Sequence, residues 1–218
     1  MLKLVIGNKN YSSWSLRAWL FLQESGLNFE EVKLPLSTRQ WQQNIGRYTP
    51  AGKVPVLLDG SLSIWDTLAI FEYVLECYST AIGWPTDGVA RAIARSVSAE
   101  MHAGFLAVRA ELPQNLRARK HWMRSQLSQD CQQQIQRIEQ IWADYKSRYG
   151  HTGDWLFGSL SIADIMYAPV ALRFVTYSIQ IDPNAQWFVD AVQALPSVQQ
   201  WVAAAAAEPE ALSEIDQL

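Results

Sequence analysis

The 218-residue chain has only two cysteines, Cys77 and Cys131, far apart and in no C-x-x-C pair. That excludes a disulfide scaffold and a dithiol redox motif and points to free thiols in a reducing compartment. Three histidines, His102, His121 and His151, show no metal-ligand spacing, so no metal site is expected. No basic block runs through a chain whose net charge is −3, which argues against nucleic acid as a partner. No apolar run approaches the ~20 residues a membrane helix needs. The start, MLKLVIGNKNYSSW, lacks the basic opening, apolar stretch and small-residue cleavage site of a signal peptide, so a cytoplasmic protein without a membrane partner is expected. What the chain has is apolar material: 49% hydrophobic against 18% charged residues, enough to bury a sizeable core and too much for a disordered chain.

The first ~80 residues alternate short apolar runs with helical periods. Leu2 to Gly7 reads as a buried strand, Ser15 to Ser25 as a helix ended by Gly26, and Asn28 to Leu34 as a second strand. Residues 37–47 are polar and at most helical. Val54 to Leu58 and Ser61 to Ile64 read as strands joined by Asp59-Gly60, a strong hairpin signal, and Thr67 to Cys77 as a helix. The order β-α-β-α-β-β-α predicts parallel strands at the start and an antiparallel hairpin at the edge. After Ala81–Gly88, a linker containing proline and glycine, strand signals vanish. Helices are expected over Val89 to Ala110, Lys120 to Arg148, Ile162 to Thr176, Trp187 to Ala194 and Val198 to Ala207. The expected division is an α/β domain over 1–80, a linker over 81–88 and an all-helical domain over 89–218.

Three short segments carry chemistry. Tyr11-Ser12-Ser13-Trp14-Ser15-Leu16-Arg17 lies between the first strand and the first helix, where backbone N–H groups and the positive helix end converge. A thiolate there gains hydrogen bonds and a favourable dipole, and a hydroxyl donor lowers the pKa of a thiol that ordinarily titrates near ~8.5. The same serines can equally serve as helix caps. In Gly52-Lys53-Val54-Pro55, a cis Val54–Pro55 bond would turn the Val54 backbone outward to pair with an extended peptide; an ordinary strand start is the other reading. In Trp65-Asp66-Thr67, Thr67 can cap the next helix and its N–H groups can hold a carboxylate, while Asp66 can meet an ammonium group. A cap with no ligand is the alternative.

In this order and on this pattern, the segments resemble the cytosolic glutathione S-transferase superfamily over nearly the whole chain, by eye the serine-type zeta class that includes maleylacetoacetate isomerase. Ser12-Ser13-Trp14-Ser15 with Arg17 is similar to the Ser-Ser-x-Ser stretch of that class, although tryptophan stands at 14 where cysteine is usual. Lys53-Val54-Pro55 resembles the superfamily's cis-proline segment, and Asp66-Thr67 its γ-glutamyl-binding pair, with Asp shorter than the usual Glu or Gln. Gln114-Asn115-Leu116, Pro169 and Arg173-Phe174 resemble zeta segments, and Ser161-Ile162-Ala163-Asp164 a structural capping box.

The resemblance implies a thioredoxin-like N-terminal domain and an all-α C-terminal domain. It also implies glutathione as co-substrate, a small electrophile as second substrate, and a homodimer pairing the first domain of one subunit with the second of the other. Ser12, with Ser13 as alternative, would stabilise the thiolate. Val54, beside Pro55, would pair with the cysteinyl backbone, Asp66 and Thr67 would hold the γ-glutamyl end, and Lys53 or Gln40 would reach the glycyl carboxylate. Met101, Phe105 and Arg109, spaced to share one helix face, together with Gln114, Asn115 and Arg173, are candidates for the second-substrate site; plain core packing and a salt-bridged arginine are the competing readings. A non-catalytic adaptor of the same fold is the competing function, and the serine stretch counts against it. An omega-type oxidoreductase would need a cysteine before the first helix, and residues 8–17 contain none.

Overall fold

The computed structural model describes residues 1–217. Two compact units result: Met1–Ile82 with the segment from Gln200 onward, and Gly83–Gln199. The first boundary falls within the expected linker. The second falls inside a helix, so the C-terminal segment packs with the α/β part rather than with the helical part to which the sequence pattern assigns it.

The first unit is built on strands β1 (Leu2–Ile6), β2 (Phe29–Lys33), β3 (Val56–Asp59) and β4 (Leu62–Trp65), in spatial order β2-β1-β3-β4. β1 and β2 are parallel, and β3 and β4 antiparallel additions. The central strand is apolar on both faces: Leu4, Val5 and Ile6 are fully buried. Helix α1 (Ser13–Glu24) connects β1 to β2 and buries nearly its whole circumference. It ends in a Schellman motif, with Gly26 at φ 66° donating to Gln23 and Leu27 donating to Leu22. After β2 come α2 (Arg39–Asn44) and a single 3-10 turn, and after β4 comes α3 (Thr67–Cys77). The hairpin loop is Gly60-Ser61, because Asp59 still pairs with Leu62; Gly60 takes the positive φ of 58° that the turn demands.

The pairing registers put the candidate segments at one end of this sheet. Val5 opposes Val56, and Val56 opposes Trp65. The chain leaving β1 toward Ser12, the chain entering β3 through Val54-Pro55 and the chain leaving β4 into Asp66 therefore all emerge at the C-terminal edge of β1. On the β2 side, Leu34 donates to the Ile6 carbonyl and Leu36 donates to Asn8 Oδ1, so the segment leading into α2 starts from that edge too.

The second unit is helical: α4 (Gly88–Ala103), α5 (Leu106–Glu111), α6 (Gln129–Tyr149), α7 (Ile162–Tyr177) and α8 (Pro183–Ala194). Helix α9 (Pro196–Ala206) begins there and continues into the C-terminal segment, which closes with α10 (Ser213–Asp216). Helix α7 is the central element, with fifteen of its sixteen residues buried. Its start is the capping box expected at Ser161: the Asp164 carboxylate accepts from the Ser161 N–H at 2.9 Å, the Ser161 hydroxyl at 2.7 Å and the Leu156 N–H at 3.0 Å. Two expected helices are shorter than their periodicity suggests. The Val89 to Ala110 helix is broken at Gly104-Phe105, where Phe105 sits in the left-handed region at φ 57°. Residues 120–122 are not helical, because Lys120 and Trp122 donate instead to the last carbonyls of α7, Thr176 and Tyr177.

Candidate functional site

Ser12 is the N-cap of α1. Its Oγ accepts from the Ser15 N–H at 3.2 Å and lies 2.7 Å from Ser15 Oγ, which in turn accepts from the Gly7 N–H at 3.0 Å. The capping reading is therefore correct, and it does not displace the functional one: a capping hydroxyl still has a rotatable proton at the positive end of a helix. Ser13 is the first helical residue, also buried, and its carbonyl accepts from Arg17 Nη1 at 3.2 Å. The buried Arg17 guanidinium stacks 4.4 Å from the centre of the Trp14 ring.

The loop that presents Ser12 is tied at both ends. The Tyr11 and Ser12 N–H groups donate to the Asn8 carbonyl. From the C-terminal segment, the Glu208 carboxylate accepts from the Lys9 and Asn10 N–H groups at 2.9 and 3.1 Å, and Trp201 Nε1 donates to the Lys9 carbonyl at 3.0 Å. The Tyr11 hydroxyl donates to Asp216 at 2.8 and 2.9 Å and accepts from the Leu212 N–H at 3.1 Å. Nothing in the local sequence signals these long-range ties.

The Val54–Pro55 peptide is cis. Neither the N–H nor the C=O of Val54 makes a hydrogen bond among the described residues, which leaves one donor and one acceptor for an extended ligand. Asp66, rather than Thr67, caps α3: its carboxylate accepts from the Leu68 N–H at 2.9 Å, and Thr67 is the first residue of the helix, buried. Asp66 holds a positive φ of 74° with ψ 133°, a conformation that non-glycine residues rarely adopt and that concentrates at ligand-contacting positions. Lys53 and Gln40 are both exposed.

The second-substrate candidates lie in the second unit, and the helix break separates them. Met101 is 1% exposed in α4, and Phe105 packs edge-on against Tyr167, so both belong to the core rather than to an open face. Arg109, on α5, returns across the break and donates to the Met101 and His102 carbonyls at the end of α4. The single shared face read from the spacing thus does not exist, because α4 ends at Ala103. Arg173 is buried on α7. Burial lowers its pKa to about 10, the positive charge of Arg109 adds to that, and the Tyr177 hydroxyl opposes it, so the guanidinium is charged at neutral pH. Burial also lowers the pKa of Arg109. Gln114 is 2% exposed, and neither its Oε1 nor its Nε2 has a hydrogen-bond partner. The neighbouring Asn115 accepts from the Thr176 hydroxyl through its carbonyl at 3.2 Å. A buried amide without partners is costly, and a ligand able to hydrogen-bond with it would relieve that cost. Among the described residues, no group of three or more His, Cys, Asp or Glu is placed to hold a metal, and no helix is long and apolar enough to cross a membrane.

A four-stranded mixed sheet with flanking helices, a cis-proline loop and a serine-capped first helix, followed by a helical unit, define a transferase fold of the thioredoxin-like type. Residues 11–77 match the glutathione S-transferase N-terminal domain and residues 94–204 the glutathione S-transferase C-terminal domain, so the chain belongs to the glutathione S-transferase family. It is similar to the dichloromethane dehalogenase of Methylorubrum extorquens, 36% identical over 66 residues; that stretch is 29% of this chain and only 23% of the dehalogenase. A probable maleylacetoacetate isomerase of Vibrio cholerae is 25% identical over 220 residues, which cover 92% of this chain and 95% of that protein. Among solved structures, a glutathione transferase homolog from Burkholderia GL BGR1, with bound glutathione, superposes with a TM-score of 0.70 at 25% identity, over 93% of this chain and 96% of that one.

Proposed function

We propose that the chain ionises the thiol of glutathione and delivers the thiolate to a small carboxylate-bearing electrophile. The observation that carries the first half is convergence. The Ser12 hydroxyl at the head of α1, the unpaired Val54 backbone and the positive-φ Asp66 at the head of α3 all emerge from one end of the sheet. An extended γ-glutamyl tripeptide fits that order: Val54 pairs with the cysteinyl backbone, Asp66 and Thr67 take the γ-glutamyl end, and Lys53 or Gln40 takes the glycyl carboxylate. Ser12, with Ser13 as the alternative donor, gives a stronger hydrogen bond to the charged sulfur than to the neutral thiol, which lowers the thiol pKa. A relative of known structure with bound glutathione supports the same reading.

The second half rests on Gln114, a buried amide without partners, and on Arg173, a buried guanidinium whose positive charge suits a carboxylate. The full-length similarity to a probable maleylacetoacetate isomerase points to an unsaturated diacid, to which a thiolate can add and from which it can leave again after rotation about the resulting single bond. The dehalogenase similarity spans too little of either chain to choose the substrate.

The test is direct. Glutathione should raise the melting temperature of the purified protein and be retained by it, and Ser12→Ala should raise the pKa of the bound thiol. Retention without any thiol activation would instead favour the non-catalytic adaptor. Turnover of a maleylacetoacetate-like diacid, lost in Arg173→Ala while glutathione affinity is kept, is expected; absence of turnover in the parent protein removes the isomerase branch.

A further inference from the structure

The third serine of the stretch, Ser15 in the first turn of α1, has no assigned part in this chemistry. It is fully buried, one helical turn after Ser12, and its hydroxyl is held on two sides: the Gly7 N–H, at the end of β1, donates to it at 3.0 Å, and the Ser12 Oγ lies 2.7 Å away. The Ser15 backbone N–H also donates to Ser12 Oγ, at 3.2 Å. Of the two hydroxyls in that 2.7 Å contact, either can be the donor.

We propose that Ser15 is a positioning residue for thiol ionisation, forming with Gly7 and Ser12 a switchable relay of hydrogen bonds. With a thiolate bound, the Ser12 O–H turns to sulfur and the Ser15 O–H donates to Ser12 Oγ. The heavy atoms need not move. Ser12 Oγ then accepts from both the N–H and the O–H of Ser15 and donates one bond to sulfur, so its full capacity is used. Ser15 Oγ still accepts from the Gly7 N–H. Each donor in such a chain polarises the next, so the bond to sulfur is stronger than that of a lone serine. No bond to carbon or sulfur is made or broken in this step; the thiol proton passes to solvent and only hydroxyl rotors turn.

The inference rests on Ser12 as the thiol's donor, and the experiment separates the two. The thiolate absorbance of bound glutathione, titrated in the ultraviolet, gives the thiol pKa without any second substrate. It is measured for the full chain and for Ser12→Ala, Ser15→Ala and the double variant. Charged groups around the loop, namely Lys9, Arg17, Glu208 and Asp216, are the same in all four. The relay predicts that Ser15→Ala raises the thiol pKa by about half a unit or more beside Ser12, and leaves it unchanged in the Ser12→Ala background. Ser15→Thr, which keeps the hydroxyl, should restore most of the shift. Equal shifts in both backgrounds, or none in either, would overturn the relay while leaving the donor role of Ser12 intact. No effect of Ser12→Ala would instead overturn the donor assignment. Should Ser15→Ala fail to fold, near-isosteric Ser15→Cys, with its weak S–H donor, replaces it and should shift the pKa in the same direction.

Discussion

Ser12 caps α1 through the same oxygen that, under the proposed function, donates to the thiolate, and substitutions can separate the two. Ser12→Ala loses both the cap bond to the Ser15 N–H and the donor, so it should cost about 1 kcal/mol of stability as well as activity. Ser12→Asp keeps a good capping acceptor but, ionised, has no proton to donate. It should melt near the parent temperature in calorimetry yet show thiol activation no better than that of Ser12→Ala; full activity in Ser12→Asp would assign the donor to Ser13. A second residue-scale consequence concerns Asp164. Burial raises its pKa to about 6, against three N–H and O–H donors that favour the charged form. Because the folded value lies above the ordinary 3.8, Asp164's contribution to stability is complete below about pH 4 and is lost as pH rises through 6. The loss is on the order of 3 kcal/mol. Urea unfolding between pH 4 and 7 should show this slope in the parent protein and not in Asp164→Asn.

At the scale of elements, the break between α4 and α5 and the C-terminal tie to the Ser12 loop are the features with most consequence. A Cβ on Gly104 would stand 2.8 Å from the Glu100 carbonyl oxygen, a backbone atom that cannot swing aside. Gly104→Ala should therefore destabilise the protein by roughly 1–3 kcal/mol in denaturant unfolding. Glu208 is the more telling residue. Its carboxylate satisfies two adjacent amides of the loop, so Glu208→Ala strands them and should cost about 2 kcal/mol. Glu208→Gln retains one acceptor and should cost less. Lys9 shows how tightly this region is set: its ammonium is 2.7 Å from Glu31 and lies over the rings of Trp19 and Trp201, themselves 5.3 Å apart.

For the whole molecule, the family resemblance leads us to expect a homodimer in solution. Leu62, on the edge strand β4, is 47% exposed, an apolar side chain on an unpaired edge of the kind that interfaces cover. Sedimentation equilibrium should give twice the chain mass, and Leu62→Glu should shift it toward the monomer without loss of helix signal. A sedimentation mass of one chain in the parent protein would remove the dimer expectation. Glutathione at a hundred times its dissociation constant should stabilise the folded state by about 2.7 kcal/mol if it binds only that state.

Local pattern alone determined the alternation of strands and helices, the presence of a hairpin at Gly60 though one residue early in its loop, the Gly26 stop and the Ser161–Asp164 capping box, because each depends on residues a few positions apart. It also singled out Ser12, Val54 and Asp66 as chemically suited side chains. Only the tertiary structure decided where those residues stand and which of them cap helices. Sheet register brings the three segments to one end, through pairings between residues about fifty apart in sequence. Asp66 rather than Thr67 caps α3, because the backbone at Asp66 turns through a positive φ that no periodicity reveals. Helical spacing over 89–110 could not show the break at Gly104-Phe105, since both segments keep the same period, and so Met101, Phe105 and Arg109 read as one face when two are core and the third caps α4. The ties from Glu208 and Asp216 to the loop before α1 span some two hundred residues, a distance over which sequence carries no periodic signal. The serine stretch itself was plain in the sequence. That Ser12 and Ser15 share a hydrogen bond, with Gly7 behind them, follows from the α-helical turn that stacks residues three apart against the end of a buried strand.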